Sequence, residues 1–148
     1  SLSPPAAAQE LRSTPPERGK SFQLEPNYPR KVVSETYIPF LLDSALFRGR
    51  DTVVVSLRIH NIFRQTVAIP VAITEEDERR RPLLNFAYAT PGRKMAFWNA
   101  RDEAGVPVPT GVYYIQLVVR GQPEQETIQI VVDNPRRRRT IPWLGGRN

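Results

Sequence analysis

The sequence predicts an all-β chain, an antiparallel two-sheet sandwich of about seven strands with extended N- and C-terminal tails. Three observations carry this reading. Within residues 52–60, Val53, Val55, Leu57 and Ile59 alternate with Val54, Ser56, Arg58 and His60; within residues 111–120, Tyr113, Ile115, Leu117 and Val119 form one face. Such a period of two gives each strand one buried and one wetter side, so that two sheets can pack face to face. Residues 98–117 read as strand, tight acidic turn, proline corner and strand. Asp102 stands where an Asx acceptor opens the turn, and Gly105 where a positive φ costs least. Elsewhere no segment carries a helical period longer than a turn, and no internal repeat is found.

The strands are expected at residues 36–42, 52–60, 66–73, 83–88, 93–98, 111–120 and 126–132, at the 8–12-residue spacing of an all-β domain. Pro39 and Pro70 suit sheet edges or bulges better than sheet centres, because proline cannot donate to a ladder. The expected organisation is an extended Pro-rich arm over residues 1–31, the sandwich over 32–132 and a basic tail over 133–148. Six of the 15 prolines fall in the arm, which shows neither a strand nor a helix period and cannot bury enough apolar surface alone to offset its ordering entropy. Phe22, Leu24 and Tyr28 are its anchor candidates, both against the sandwich and toward a partner.

At 148 residues the chain has room for one such domain plus tails. It contains no cysteine, hence no disulfide and no thiolate metal site, and no apolar run of the length a membrane span requires. The charge of +6 is unevenly placed. Residues 32–132 hold 11 basic and 11 acidic side chains, whereas residues 1–31 hold five and three and residues 133–148 hold five and one. The excess therefore sits in the tails, which points them toward something acidic: protein, an anionic membrane surface or nucleic acid. In the C-terminal tail Arg136, Arg137, Arg138 and Arg139 precede a small apolar knot containing Trp143 and Leu144, the composition of an amphipathic anchor. Trp143 folding back on its own domain is the plain alternative. Nucleic acid is disfavoured, since the domain is neutral and no strand face is expected to interleave basic and aromatic residues.

No catalytic constellation is legible. His60 is the single histidine and faces outward; the run from Glu75 to Arg81 reads as a solvated hairpin tip whose charges neutralise one another; Asp102 and Glu103 are turn formers. There is no phosphate-binding glycine loop and no nucleophile elbow. The sequence thus predicts no enzyme, no cofactor, no metal and no small-molecule substrate.

Several of these segments together resemble the FlgD-like Ig domain of flagellar hook-capping proteins, found also at the C-termini of many secreted bacterial proteins. Ser21-Phe22-Gln23-Leu24-Glu25-Pro26-Asn27-Tyr28-Pro29 looks like that family's entry motif, residues 36–42 and 55–61 like its first two strands, and residues 98–117 like its tryptophan, turn and glycine-tyrosine signature. The likeness covers roughly residues 21–132. Arg30 to Ser34 depart from the family's continuation, Asn99-Ala100 replaces the usual Asp-Gly, and Arg64 stands where a glycine is common. The basic extension after the last strand also departs from a secretion tail. The resemblance implies an Ig-like fold and an exported protein, periplasmic or extracellular and peripheral to a membrane; a start at Ser1 fits a processed or a trimmed chain alike. The function expected is that of an accessory subunit bound through its tails to other subunits of a larger extracytoplasmic or membrane-attached complex, for example a photosynthetic reaction-centre complex. The alternative is a self-assembling filament or cap subunit in which residues 36–42 or the terminal tail add a strand to the next copy.

Overall fold

A computed structural model of the protein describes residues 21–135, which form two β-sheets around one apolar core. Ten strands follow one another: β1 (Phe22–Leu24), β2 (Lys31–Val32), β3 (Thr36–Leu42), β4 (Val53–His60), β5 (Thr66–Ala68), β6 (Val71–Ile73), β7 (Phe86–Tyr88), β8 (Gly92–Trp98), β9 (Gly111–Val119) and β10 (Gln125–Val132). The smaller sheet runs β1-β3-β8-β6. The larger runs β2-β10-β9-β4-β5, with β7 beside β5 on the same flank of β4. One 3-10 turn, Ser44–Phe47, links β3 to β4. The all-β reading and its main strands therefore hold, and the inward faces are those the alternation marks: Val53, Val55, Leu57 and Ile59 are buried against Ile38, Phe40, Leu42, Ile115 and Leu117.

Three features differ from the sequence expectation. First, residues 21–31 belong to the sandwich rather than to the arm. Phe22 and Leu24 point inward from β1, which pairs antiparallel with β3, and the chain then crosses to the larger sheet, where β2 runs parallel to β10. A three-residue and a two-residue strand are too short for periodicity to reveal. Second, the stretch 66–73 is broken at Ile69-Pro70, and its halves lie in different sheets. The proline marks a corner where the chain changes sheet. Third, Pro39 lies in an inner strand. Its position is permitted by a slip in register: Leu24 faces Phe40 while Tyr28 bridges Tyr37, so four steps on one strand oppose three on the other. The absent N–H falls at that bulge, and the Pro39 carbonyl still accepts from the Glu25 N–H at 3.0 Å.

Both open sides of the sandwich are closed by chain that passes between sheets. On one side this is the strap from β1 to β2. On the other it is the step from β5 to β6, reinforced by residues 81–83: the Leu83 N–H donates to the Pro70 carbonyl and its own carbonyl accepts from Leu57, each within 2.9 Å, while its side chain fills the core.

The strap is held by a buried polar knot. Asn27 Nδ2 donates to the carbonyls of Pro29 and Arg30 and to Thr36 Oγ1 at 3.0–3.2 Å, and Thr36 Oγ1 donates to the Pro29 carbonyl at 3.0 Å. Both residues are fully enclosed, so removing one side chain strands the partners in the interior. Asn27→Ala is expected to lower unfolding free energy by about 2–3 kcal/mol in urea denaturation, an effect too large for a surface asparagine.

Two positions singled out by the resemblance have the backbone a glycine would favour: Arg64 has φ +67° and Ala100 φ +61°. Arg64 is exposed at a turn, so Arg64→Gly removes strain without opening a cavity. It is expected to raise stability by roughly 0.5–1 kcal/mol, seen as a higher melting temperature.

Candidate functional site

The outer face of the smaller sheet is the clearest candidate surface. Since Ile38, Phe40, Ala96 and Trp98 point into the core, the intervening residues of β3 and β8 point away from it. Apart from Arg93 at one end of β8, these are not polar. Tyr37 lies opposite Phe97, which lies opposite Val71; Pro39 lies opposite Met95, which lies opposite Ile73. Tyr28, bridged to Tyr37, extends the first row. Its ring stacks on Tyr37 at 5.8 Å between centroids, and Tyr37 meets Phe97 at 5.3 Å in a tilted arrangement. Tyr28 Oη donates to Met95 Sδ at 3.7 Å. The sheet is thus apolar on both sides, whereas an antiparallel sheet at a domain surface ordinarily turns a polar side to water.

Arginines frame this face. The Arg80 guanidinium lies 4.9 Å over the Phe97 ring, and Arg93 Nε donates to Glu25 Oε1 at 3.0 Å. The expectation that no strand face combines basic and aromatic side chains is corrected here, although the ion pair with Glu25 balances the Arg93 charge. Beside Phe97 a shallow cleft of ≈ 260 Å³ is lined by Val71, Arg80, Arg101 and the turn carrying Asp102 and Glu103. That turn is built as its sequence indicates: Asp102 Oδ1 accepts from the N–H groups of Ala104 and Val106 at 2.9 Å, and Gly105 has φ +83°. Glu103 Oε2 accepts from the Ile69 N–H at 2.7 Å, fixing the corner where the chain changes sheet.

Of the partner-contact residues expected from sequence, Tyr28 is exposed and lies on this face. Phe22 and Leu24 do not: they are core residues of β1, and no partner reaches them in the folded domain. Arg136, Arg137, Arg138, Arg139, Trp143 and Leu144 lie outside the described residues. The strand-donor role considered for residues 36–42 is closed to them, because β3 is already paired on both sides. The aromatic rows were not recognised from sequence. A signal existed in β3, where Tyr-Ile-Pro-Phe-Leu-Leu is a continuous apolar run rather than an alternating one, the mark of a strand covered on both faces.

The titratable groups elsewhere are engaged in local structure. His60 Nδ1 and Nε2 each lie 3.2 Å from a carbonyl oxygen, of Arg64 and of the Gln116 side chain. The backbone N–H of Arg79 holds the Asp77 carboxyl below its usual range, with the Arg79 and Arg81 guanidinium groups adding to the effect. Among the described residues no His, Asp and Glu set could hold a metal ion, and no helix is long and apolar enough to cross a membrane. A second cleft, of ≈ 740 Å³, lies between the loop at Thr74–Asp77 and β7 and β8. In it Lys94 Nζ donates to Thr90 Oγ1 at 3.0 Å and sits 5.1 Å above the Tyr88 ring. Burial lowers the Lys94 pKa, against the opposing pull of Glu76.

No family model and no curated protein matches the chain. Among solved structures, Pseudomonas fluorescens alkylpurine DNA glycosylase AlkC, bound to DNA containing an abasic site analog, is similar at 12% identity and a TM-score of 0.44. The match covers 78% of this chain and 31% of that one, so the chain spans about a third of the length of its neighbour. That neighbour is an enzyme; the expectation that this chain is not one rested on missing motifs alone and is withdrawn. A likeness this distant assigns no activity in its place.

The Tyr88 hydroxyl is buried with no protein hydrogen-bond partner, and burial pushes its pKa well above the ordinary tyrosine value. Tyr88→Phe keeps the ring beneath Lys94 and against Phe40 and Phe86. It is expected to stabilise the fold by about 1 kcal/mol in denaturant titration.

Proposed function

We propose that the protein is an accessory subunit of a larger extracytoplasmic or membrane-attached protein assembly, and that it docks through the outer face of the smaller sheet. The observation that carries this reading is the sheet's second apolar face: two aligned rows, one running Tyr28-Tyr37-Phe97-Val71 and one Pro39-Met95-Ile73, in which Tyr28 is exposed and the others, apart from the buried Pro39, are half-buried. Rigid aromatic rings flanked by arginine are the composition of interface centres, because they bury much area at little conformational cost. The basic tails carry the surplus positive charge for contacts to acidic surfaces.

The FlgD-like Ig kind of sandwich is part of the same proposal. It is supported by Trp98, whose Nε1 donates to the Arg101 carbonyl at 3.0 Å and whose ring meets Tyr113 edge-on, and by positive φ at Ala100 where that family's pattern has glycine.

The test is co-migration of the endogenous protein with other subunits in gently solubilised envelopes, repeated with Tyr28→Arg combined with Tyr37→Arg. Both side chains lie outside the core, so the pair should lower the thermal transition only by what the lost Tyr28–Tyr37 and Tyr37–Phe97 ring contacts supply, while weakening association tenfold or more. A wild-type protein that migrates alone, or a doubly substituted protein that co-migrates as before, would overturn the proposal.

A further inference from the structure

The outer face of the larger sheet carries an open cleft of ≈ 520 Å³ beside the turn from β4 to β5. Its floor is set by strand register. Tyr113, Ile115 and Leu117 point into the core, so Tyr114 and Gln116 of β9 point out of it. Tyr114 lies opposite His60 of β4, Gln116 lies opposite Thr127 of β10, and Gln125 extends the floor along β10. The wall is the turn itself, through Asn61 and Ile62. Asn61 Oδ1 accepts from the N–H groups of Phe63 and Gln65 at 2.9 and 3.0 Å, so Ile62 stands 62% exposed on a backbone that is already fixed.

A line of contacts holds the floor side chains in place. His60 Nδ1 lies 3.2 Å from the Arg64 carbonyl and Nε2 3.2 Å from Gln116 Oε1, and Gln116 Nε2 donates to Gln125 Oε1. Hydrogen-bonding groups are left over in the same cleft: the Gln125 amide hydrogens and the hydroxyls of Tyr114 and Thr127 bond to no other described residue. Donors and acceptors are therefore both on offer. No carboxylate lines the cleft among the described residues, and Arg64, which brings its one guanidinium, is an exposed turn residue, where a charge attracts only weakly.

We propose that this cleft binds a neutral oligosaccharide. A cationic ligand finds no carboxylate there, and an anionic one finds only the exposed Arg64. A wholly apolar ligand would cover Gln116, Gln125 and Thr127 and cut their polar groups off from water. An extended peptide binds by its backbone to a free strand edge, whereas β4 and β9, which carry His60, Tyr114 and Gln116, are paired on both sides. A sugar suits what is present. Its hydroxyls each donate and accept, as the amides and hydroxyls of the floor do, and its C–H faces need a modest apolar surface, which Tyr114 and Ile62 provide. Because the floor is held by the sheet and by the His60–Gln116–Gln125 line, little further ordering is needed on contact. The cleft lies on the sheet that the docking role proposed above does not use, and the proposal does not rest on that role.

The test titrates the purified full-length chain with maltohexaose, cellohexaose and chitohexaose, read by the side-chain amide signals of Gln116 and Gln125 in proton–nitrogen NMR spectra. Saturable shifts with at least one of the three are expected, and the affinity should stay constant as salt is raised. Tyr114→Ala and, separately, Gln116→Ala should each weaken binding on the order of tenfold. Thr127→Val keeps the shape of an exposed strand residue and removes its hydroxyl, so it should weaken binding severalfold without lowering the melting temperature. Tyr28→Arg with Tyr37→Arg should leave sugar binding unchanged, which separates this outcome from failure of the protein-docking reading. Absence of shifts with all three sugars would overturn the proposal. Binding that salt abolishes would mark an ionic ligand and equally overturn it, as would binding that the Tyr114, Gln116 and Thr127 substitutions leave intact.

Discussion

The passage of residues 21–32 from one sheet to the other is the constraint on which the rest of the domain depends. Sheets of four and six short strands, packed only through side chains, would present open flanks on both sides. Here the first flank is closed because Phe22 and Leu24 enter the core from the smaller sheet and, a few residues later, Val32 enters it from the larger. The Leu24 N–H also reaches Glu126 Oε1 on β10 at 3.3 Å, a direct tie across the flank. Between these apolar anchors the chain must turn sharply, and a sharp turn in the interior leaves carbonyls without partners. Asn27 and Thr36 answer that need. The polar knot is therefore a condition for the apolar one, and the bulge that admits Pro39 follows from the same turn.

The opposite flank is closed by different means toward the same end. Ile69-Pro70 carries the chain from β5 to β6, Glu103 fixes that corner by accepting from the Ile69 N–H, and Leu83 seals the gap below. Every strand at a sheet edge is consequently two or three residues long. Edge strands this short cap their neighbours only in part: β2 pairs with Val131 and Val132 of β10, and among the described residues no strand pairs with residues 125–130 on that side.

How much of this was legible depended on element length and on what burial does to sequence. The long central strands declared themselves, because seven to nine residues are enough for Val53 to Ile59, or Tyr113 to Val119, to show a period of two. The turn at Asp102 to Gly105 was legible because its chemistry is local. What escaped was tertiary. Phe22 and Leu24 looked like contacts of a mobile arm, since nothing within a three-residue strand says that it will join a sheet. The break at Pro70 was concealed by apolar residues on both sides that suit either sheet. The outer aromatic face escaped because it is assembled from three separated segments, and only its β3 portion carries a signal.

Short edges and an apolar outer face together determine how the domain can associate. A sheet that is sticky along its edge polymerises, because each added strand exposes a fresh edge. A sheet that is sticky on its face is satisfied by a single partner, since covering the face consumes it. The smaller sheet belongs to the second kind: β3 is paired on both sides, β1 and β6 are three residues each, and the apolar rows stand perpendicular to the strand plane. Tyr28, Tyr37 and Phe97 moreover pack against one another, so the face is ordered before anything arrives and little entropy remains to be lost on contact. For the docking role proposed above, this geometry of the smaller sheet suits a defined stoichiometry. It does so through the same strap that holds the core together, because the turn fixed by Asn27 is what places Tyr28 beside Tyr37.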